Sequence, residues 1–242
     1  MKFLFNLLPV ILFLLDNGLS GVGSDVVSVS MKEGDTVIFY TGVETNQQED
    51  IKWYFGDTRI AQISGDLSHV CTDVKCEDGE EKFRDRLKLD HQTGSLTIMN
   101  TTTTDTGVYE LKVISSTSSS DKIFNVIVNG ASAAEQDEIK RKSVKEGEFV
   151  TLDSGVMINP NHTLKWYFNN ILIAEITADQ STICTYVQCD IRFRNRLKMN
   201  PQTGSLTITN IRTTDSGDYK LQIINRRFSI IRDFGITVTL DG

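Results

Sequence analysis

The chain has 242 residues, a formal net charge of −7 and a sequence pI near 5.0. Phosphate backbones are held by clustered Lys and Arg, so this acidic balance argues against nucleic acid as a partner. Its carboxylates are scattered, and we find no nucleophile elbow, phosphate-cradling loop or paired metal-binding histidine motif. We therefore expect no enzyme activity, no cofactor and no small-molecule substrate.

Residues 1–23 have the pattern of a signal peptide. Lys2 precedes the apolar run from Phe3 to Leu15, and small residues follow between Gly18 and Gly23. A membrane anchor is the alternative, but the run is shorter than the ~20 apolar residues that span a bilayer. No second long apolar run occurs, so we expect a secreted or extracellular protein with no membrane span in this sequence. In that compartment the four cysteines are expected to form disulfides.

The rest of the chain is an internal repeat. Residues 32–34 and 52–55 return at an offset of 113, and residues 86–88 and 105–109 return at an offset of 110. The three-residue contraction lies between Cys189 and Arg196. Both copies consist of short alternating strands separated by turn residues, without helical periodicity.

This repeat predicts an all-β fold of two tandem antiparallel β-sandwiches. The small and polar residues at 131–137 show no strand pattern and indicate a linker. The predicted domains are therefore residues 24–130 and 138–242, each long enough to bury its own core.

Each copy carries the same set of predicted structural residues. An Asp-x-Gly-x-Tyr motif predicts a tight turn and a buried tyrosine whose hydroxyl donates to nearby backbone. A tryptophan supplies the core plug, and an arginine is spaced to reach the aspartate of the motif. These residues are Trp53, Arg86, Asp105 and Tyr109 in the first copy, and Trp166, Arg196, Asp215 and Tyr219 in the second.

With these residues in place, the chain resembles immunoglobulin variable-type domains over essentially all of its mature length. More narrowly, it resembles the signalling lymphocytic activation molecule (SLAM) and lymphocyte-adhesion receptor family. Leu111 and Leu221 stand where such domains usually carry a strand-F cysteine, and Thr41 and Ser154 stand at the strand-B positions. The core disulfide is therefore missing from both copies, as it commonly is from the first domain of that receptor family.

The four cysteines form two closely spaced pairs, Cys71 with Cys76 and Cys184 with Cys189. Local pairing is the simplest of three connectivities, and zinc is the alternative, although two cysteines supply only half of a tetrahedral site. A bond across this short loop constrains the unfolded chain by roughly 2 kcal/mol, against roughly 4 for the absent core bond. We expect the local bonds to fix loop shape, while packing holds the core.

Two sequons, at Asn100 and Asn161, satisfy the Asn-x-Ser/Thr rule and fall where loops are expected. Both are predicted glycosylation sites, and an ordinary polar turn is the alternative at each.

The resemblance directs attention to the sheet of strands G, F, C and C′, through which related adhesion receptors commonly pair. If Trp53 and Tyr109 face the core, alternation places their neighbours outward. The predicted partner-binding residues are Lys52, Tyr54, Glu110, Lys112 and Ile114, with second-domain equivalents Lys165, Tyr167, Lys220, Gln222 and Ile224. Charges around an aromatic suit a polar, transient interface with Tyr54 as its anchor. Ordinary solvent-exposed sheet is the alternative.

The F–G segments differ sharply between the copies. Residues 115–120 are polar and neutral, whereas residues 226–232 are basic and apolar. The second segment predicts either a loop that binds an acidic partner or an extension of strand G that buries Ile230.

These observations favour an extracellular cell-recognition module. Its expected partner is a cell-surface protein, either another immunoglobulin-family receptor or a second copy of the chain. The alternatives are a secreted immune ligand or decoy and a structural matrix module without a specific partner.

Overall fold

The computed structural model describes residues 25–42, 49–65, 67–70, 81–83, 85–116, 118–130, 132, 141–185 and 187–240. The predicted signal peptide, most of the predicted linker and the Cys71–Cys76 pair lie outside these residues. The predictions made for them, and the domain boundaries that depend on them, stay predictions.

Nine strands are formed by the described residues of the first domain. They are β1 (Asp25–Lys32), β2 (Thr36–Phe39), β3 (Asp50–Phe55), β4 (Thr58–Ser64), β5 (Leu67–Val70), β6 (Leu87–Leu89), β7 (Leu96–Ile98), β8 (Gly107–Ile114) and β9 (Ser119–Asn129). Single 3-10 turns lie at Glu81–Phe83 and Thr103–Asp105.

The second domain repeats this order. Its strands are β10 (Lys142–Lys145), β11 (Val150–Leu152), β12 (Thr163–Phe168), β13 (Ile171–Ile176), β14 (Ser181–Ile183), β15 (Leu197–Met199), β16 (Leu206–Ile208), β17 (Gly217–Ile224) and β18 (Phe228–Thr239). A helix, α1 (Val187–Phe193), and a 3-10 turn at Thr213–Asp215 complete it.

Each domain is a sandwich of two sheets, which confirms the predicted fold class. In the first domain, one sheet has the order β1-β9-β8-β3-β4-β5, and β2, β7 and β6 form the other. In the second, the corresponding orders are β10-β18-β17-β12-β13-β14 and β11-β16-β15. The first strand of each domain runs parallel to its last strand, and the other pairs are antiparallel.

The two domains share a sheet. The first four residues of β18 pair with β2 of the first domain, with Phe228 opposite Phe39 and Ile231 opposite Thr36. The pairing continues past β2, where the Tyr40 amide donates to the Arg227 carbonyl at 2.9 Å. Among the described residues, this contact joins nine strands into one sheet that runs through both domains. It was not predicted from the sequence.

Both cores are built around a buried tryptophan. Trp53 and Trp166 are fully buried, and their indole N–H groups donate to the carbonyls of Gly94 and Gly204 at 2.9 and 2.8 Å. Gly94 has a φ of +67°, and a Cβ there would lie 2.4 Å from a methyl of Ile51. A glycine is therefore needed to bring this carbonyl against the tryptophan.

The residues at the positions where the core disulfide is absent are all buried in the cores. Leu111 and Leu221 are completely buried. The hydroxyls of Thr41 and Ser154 donate to the carbonyls of Thr93 and Thr203. Because each buried hydroxyl has a partner, these polar residues lie in the core without the cost of an unpaired group.

A short helix, α1, occurs within the all-β fold although the sequence shows no helical periodicity. It lies in the segment between β14 and β15, and Cys189 and Phe193 are buried among those of its side chains that the structure describes. Two buried positions four residues apart point to the same side of a helix. The exposed Ile191 interrupts this pattern, and seven residues are too few for a helical period to stand out in the sequence.

Candidate protein-binding face

The five residues predicted to bind a partner lie together on the outward surface of β3 and β8. Lys52 stands directly opposite Lys112, Tyr54 opposite Glu110, and Ile114 opposite Asp50. The residues between them in sequence are buried. We call this surface the front face, defined by Lys52, Tyr54, Glu110, Lys112 and Ile114.

Charge on the front face is balanced locally. The Lys112 ammonium lies 3.4 Å from Glu110 and 5.3 Å from the centre of the Tyr54 ring, and Lys52 lies 3.8 Å from Asp50. Opposed lysines would repel, so these carboxylates offset an unfavourable cross-strand pair. Half-exposed ion pairs contribute little to stability, which leaves the charges free to re-pair with a partner.

Apolar side chains extend the same surface beyond the predicted residues. Val108 and Ile127 are 47% and 56% exposed, and Val26 on β1 is also exposed. All three occupy the outward positions of strands whose alternate residues are buried. These three residues were not predicted, because outward positions of the first domain were assigned only within residues 52–54 and 110–114. The signal available was the alternation of Ile127 with the buried Val126 and Val128.

The equivalent face of the second domain is bonded differently. Tyr167 is opposite Lys220, and its hydroxyl donates to the side-chain oxygen of Gln222 at 3.4 Å. Lys165 pairs with Glu175 at 3.3 Å. Here the tyrosine hydroxyl is engaged within the domain, whereas no hydrogen bond of the Tyr54 hydroxyl is seen among the described residues.

The predicted structural residues lie together at the end of each sandwich. Arg86 makes a two-pronged contact to Asp105 at 2.7 and 2.9 Å, and Arg196 makes the same contact to Asp215 at 2.6 and 3.1 Å. The hydrogen bond from Arg86 to Asp105 raises the pKa of the guanidinium.

The two corner tyrosines bond as the motif predicts. Tyr109 donates to the carbonyl of Asp105, and Tyr219 to that of Asp215, both at 2.9 Å. Burial raises the pKa of each phenol, so both stay protonated and act only as structural donors.

The second cysteine pair forms a disulfide between Cys184, which follows β14, and Cys189 in α1. It therefore ties the helix to the edge of the β12–β13–β14 sheet. Both sequon asparagines are exposed: Asn100 lies in the turn after β7, and Asn161 lies in the turn before β12. Their glycosylation stays a prediction.

The basic F–G segment of the second domain is a strand, as one of its two predicted alternatives states. Ile230 is buried in β18. Arg232, further along this strand, binds Asp35 of the first domain through two hydrogen bonds of 2.8 and 2.7 Å. The two side chains are 5% and 2% exposed, so this ion pair is buried between the domains.

The described residues offer little for other chemistry. They contain no group of three or more His, Cys, Asp or Glu side chains that could hold a metal ion. A pocket of about 560 Å³ lies beside Asn169, Asp218, Lys220 and Asp233 on the second domain. The pKa of the Asp233 carboxyl is raised, mainly because the group is buried. No helix in the described part of the chain is long and apolar enough to cross a membrane.

Comparison with known proteins agrees with this architecture. Residues 27–129 match the immunoglobulin V-set domain family, and residues 135–230 match the immunoglobulin I-set domain family. The chain consists of two tandem immunoglobulin domains. The prediction of two variable-type copies is correct for the first domain and wrong for the second, whose sequence is of the I-set although its strands follow the same order.

Among curated proteins, the chain is 29% identical to pregnancy-specific glycoprotein 22 of Mus musculus, over 86% of this chain and 45% of that protein. It thus spans less than half the length of this relative. Among solved structures, the first Ig-like domain of human CD48 antigen aligns over 47% of this chain and 88% of its own, at 21% identity and a TM-score of 0.38. Murine CEACAM1b aligns over 89% and 99% respectively, at 16% identity and a TM-score of 0.30.

Proposed function

We propose that this protein is an extracellular recognition module of lymphocyte-receptor type, which binds a cell-surface protein through the front face of its first domain. The observation that carries the proposal is the position of Tyr54 on this face opposite Glu110, with charged pairs beside it and the exposed apolar side chains of Val26, Val108 and Ile127 on the neighbouring strands β1, β8 and β9. Interfaces are commonly built from an aromatic anchor within such mixed surroundings.

The partner suited to this face is another protein domain with complementary charge. Lys112 and Glu110 can each exchange an internal ion pair for an external one, so recognition would be steered by charge and sensitive to salt. A second copy of the chain fits this description because the face carries both signs. An immunoglobulin-family receptor is the other partner class.

The extracellular location is part of the same proposal. It rests on the signal-peptide pattern of residues 1–23, the disulfide between Cys184 and Cys189, and the likeness to a curated protein that is named as a glycoprotein.

A Tyr54→Ala variant tests the proposal, with Tyr167→Ala as the matched control on the second domain. Loss of an aromatic anchor should weaken binding by about tenfold or more, on the order of 1.4 kcal/mol. Cell binding of the purified chain and its self-association in sedimentation velocity are the measurements.

The control variant should bind like the unmodified chain. Equal binding by both variants, or a chain that neither self-associates nor binds cells, would contradict the proposed face.

A further inference from the structure

The strand of the first domain that receives β18 has an equivalent in the second domain that is paired on one side only among the described residues. In the first domain, β2 pairs with β7 on one side and with β18 on the other. In the second domain, the equivalent strand β11 pairs with β16 on one side, and no described residue pairs with its other side. We call this open side of β11 the acceptor edge.

The backbone next to the acceptor edge reproduces the one that receives β18. Glu148 stands at the repeat position of Asp35, and the amide of each donates to the carbonyl three residues earlier at 3.2 Å. In return, the amides of Lys145 and Lys32 donate to the carboxylates of Glu148 and Asp35, at 3.3 and 2.9 Å. The two carboxylates are therefore held in the same place relative to their strands.

The environments of these carboxylates differ. Asp35 is 2% exposed and is bound by Arg232, whereas Glu148 is exposed and no described arginine contacts it. Its neighbour Phe149, at the start of the acceptor edge, is 70% exposed. An open strand edge beside an exposed aromatic is a surface prone to strand addition.

The first domain carries the matching half of such a contact. Lys122 occupies the repeat position of Arg232, and its ammonium donates to the Thr41 carbonyl as Arg232 donates to the Ser154 carbonyl. Among the described residues, the pairing of β1 with β9 begins at Lys122, which stands opposite Asp25, the first residue that the structure describes. The preceding residues Ser119–Asp121 have no partner on their outer side among the described residues, and we call them the donor edge.

We propose that the chain associates head to tail, with the donor edge of one copy adding to the acceptor edge of another and Lys122 of the first pairing with Glu148 of the second. This contact would copy the junction that already joins the two domains of one chain. Each copy has one edge of each kind on different domains, so the contact is heterologous and repeats from copy to copy, giving a ring where the rotation closes and an open series where it does not.

The contact is expected to be weaker than the one within the chain. The donor edge offers Ser120 where β18 offers the buried Ile230, so less apolar area is removed from water. Covalent connection also gives the internal contact an effective concentration on the order of mM, which a separate copy lacks. Head-to-tail association should therefore appear at high protein concentration or where many copies are held on one surface.

The test uses two charge reversals, Lys122→Glu and Glu148→Lys, in a Tyr54→Ala background that weakens the proposed front-face contact. Each reversal places like charges against each other in a buried site, so each variant alone should lose association in sedimentation velocity. An equimolar mixture should recover it, because every junction in the mixed series can then pair Lys with Glu. Lys88→Glu and Asp179→Lys are matched reversals at exposed positions and should change nothing.

A Ser119→Pro variant tests the donor edge without a change of charge, so that loss of association can be distinguished from misfolding of the charge variants. The Ser115 amide donates to the Ser118 carbonyl, so the Ser119 amide points away from β8 toward the open side. Proline there removes one donor from the donor edge and leaves the β8–β9 ladder intact. It should abolish association without lowering the midpoint of thermal unfolding.

Three results would overturn the proposal: a monomer at every concentration, association that survives both single reversals, or a mixture that does not recover association. None of these bears on the front face, because the background variant already lacks its anchor. Conversely, normal cell binding by Glu148→Lys in an otherwise unmodified chain would leave the proposed function standing.

Discussion

The Asp35–Arg232 pair is a buried ion pair that connects the two domains. Its carboxylate and guanidinium are almost completely buried, and Arg232 also donates to the Ser154 carbonyl at 2.6 Å. Gly155, which follows, has a φ of +66°, and a Cβ there would lie 2.8 Å from the guanidinium. The site therefore accepts arginine only because the neighbouring residue lacks a side chain.

Replacing Arg232 with methionine should destabilise the chain strongly. Asp35 would remain buried without its partner, a change that costs about 3–5 kcal/mol in comparable cases. Arg227→Met is the matched control, because its ion pair with Asp25 is about two-fifths exposed and should be worth no more than about 1 kcal/mol. Urea unfolding of both variants measures the difference. Equal losses of unfolding free energy in the two variants would show that the buried pair contributes no more to stability than the exposed pair.

At the scale of elements, the disulfide between Cys184 and Cys189 does not take the place of the absent core disulfide. It connects the end of β14 to α1, and Cys189 is buried while Cys184 is partly buried. The core itself is held by packing around Trp166, Tyr219 and Leu221, all of which are fully buried. Loss of the disulfide should loosen one edge of the second domain and leave its sandwich in place.

The double variant Cys184→Ser/Cys189→Ser should unfold at lower urea concentration, with a loss of roughly 2 kcal/mol for so short a loop. Its far-ultraviolet circular dichroism should remain that of a β-sandwich. Cys71→Ser/Cys76→Ser is the parallel variant in the first domain and should lose a similar amount if the predicted bond forms there. Complete unfolding of the first variant would mean that α1 and its disulfide support the core directly.

The elements that could be predicted are those set by local spacing. The interval between Asp105 and Tyr109 specifies a turn and a hydroxyl bond, and alternation about Trp53 places Lys52 and Tyr54 outward, whatever the rest of the chain does. The pairing of β18 with β2 joins residues about 190 positions apart and depends on which strand edges stay open. The apolar and basic residues of β18 were visible in the sequence, but they fitted a binding loop equally well.

At the scale of the whole molecule, the shared sheet should make the two domains move as one body. Four residues of β18 pair with β2, and the side chains of Phe228 and Ile230 are buried on the same face of the sheet as Val37 and Phe39. The front face of the first domain is then presented at a fixed angle to the second domain. For a receptor, such stiffness lowers the entropy lost when several copies engage a surface together.

A Ser229→Pro variant should release the domains from each other. The Asn225 amide donates to the Phe228 carbonyl, so the Ser229 amide points toward β2 and not toward β17. Nuclear spin relaxation should show one correlation time for the unmodified chain and two shorter ones for the variant. Ser119→Pro, at the equivalent position of the first domain, is the control and should retain a single correlation time at low concentration. If relaxation of Ser229→Pro equals that of the unmodified chain, the pairing of β18 with β2 does not hold the domains together.

The same shared sheet imposes an order on biosynthesis. The first domain leaves the ribosome with β2 already complete, but the strand that covers its edge begins at Phe228, about 100 residues beyond the end of β9. At ordinary elongation rates this interval lasts roughly 5–20 s. During that time the new domain carries an unpaired edge flanked by Val37 and Phe39, which is the kind of surface that recruits other nascent strands. The second domain thus protects this edge of the first domain, but only after its own last strand has been synthesised.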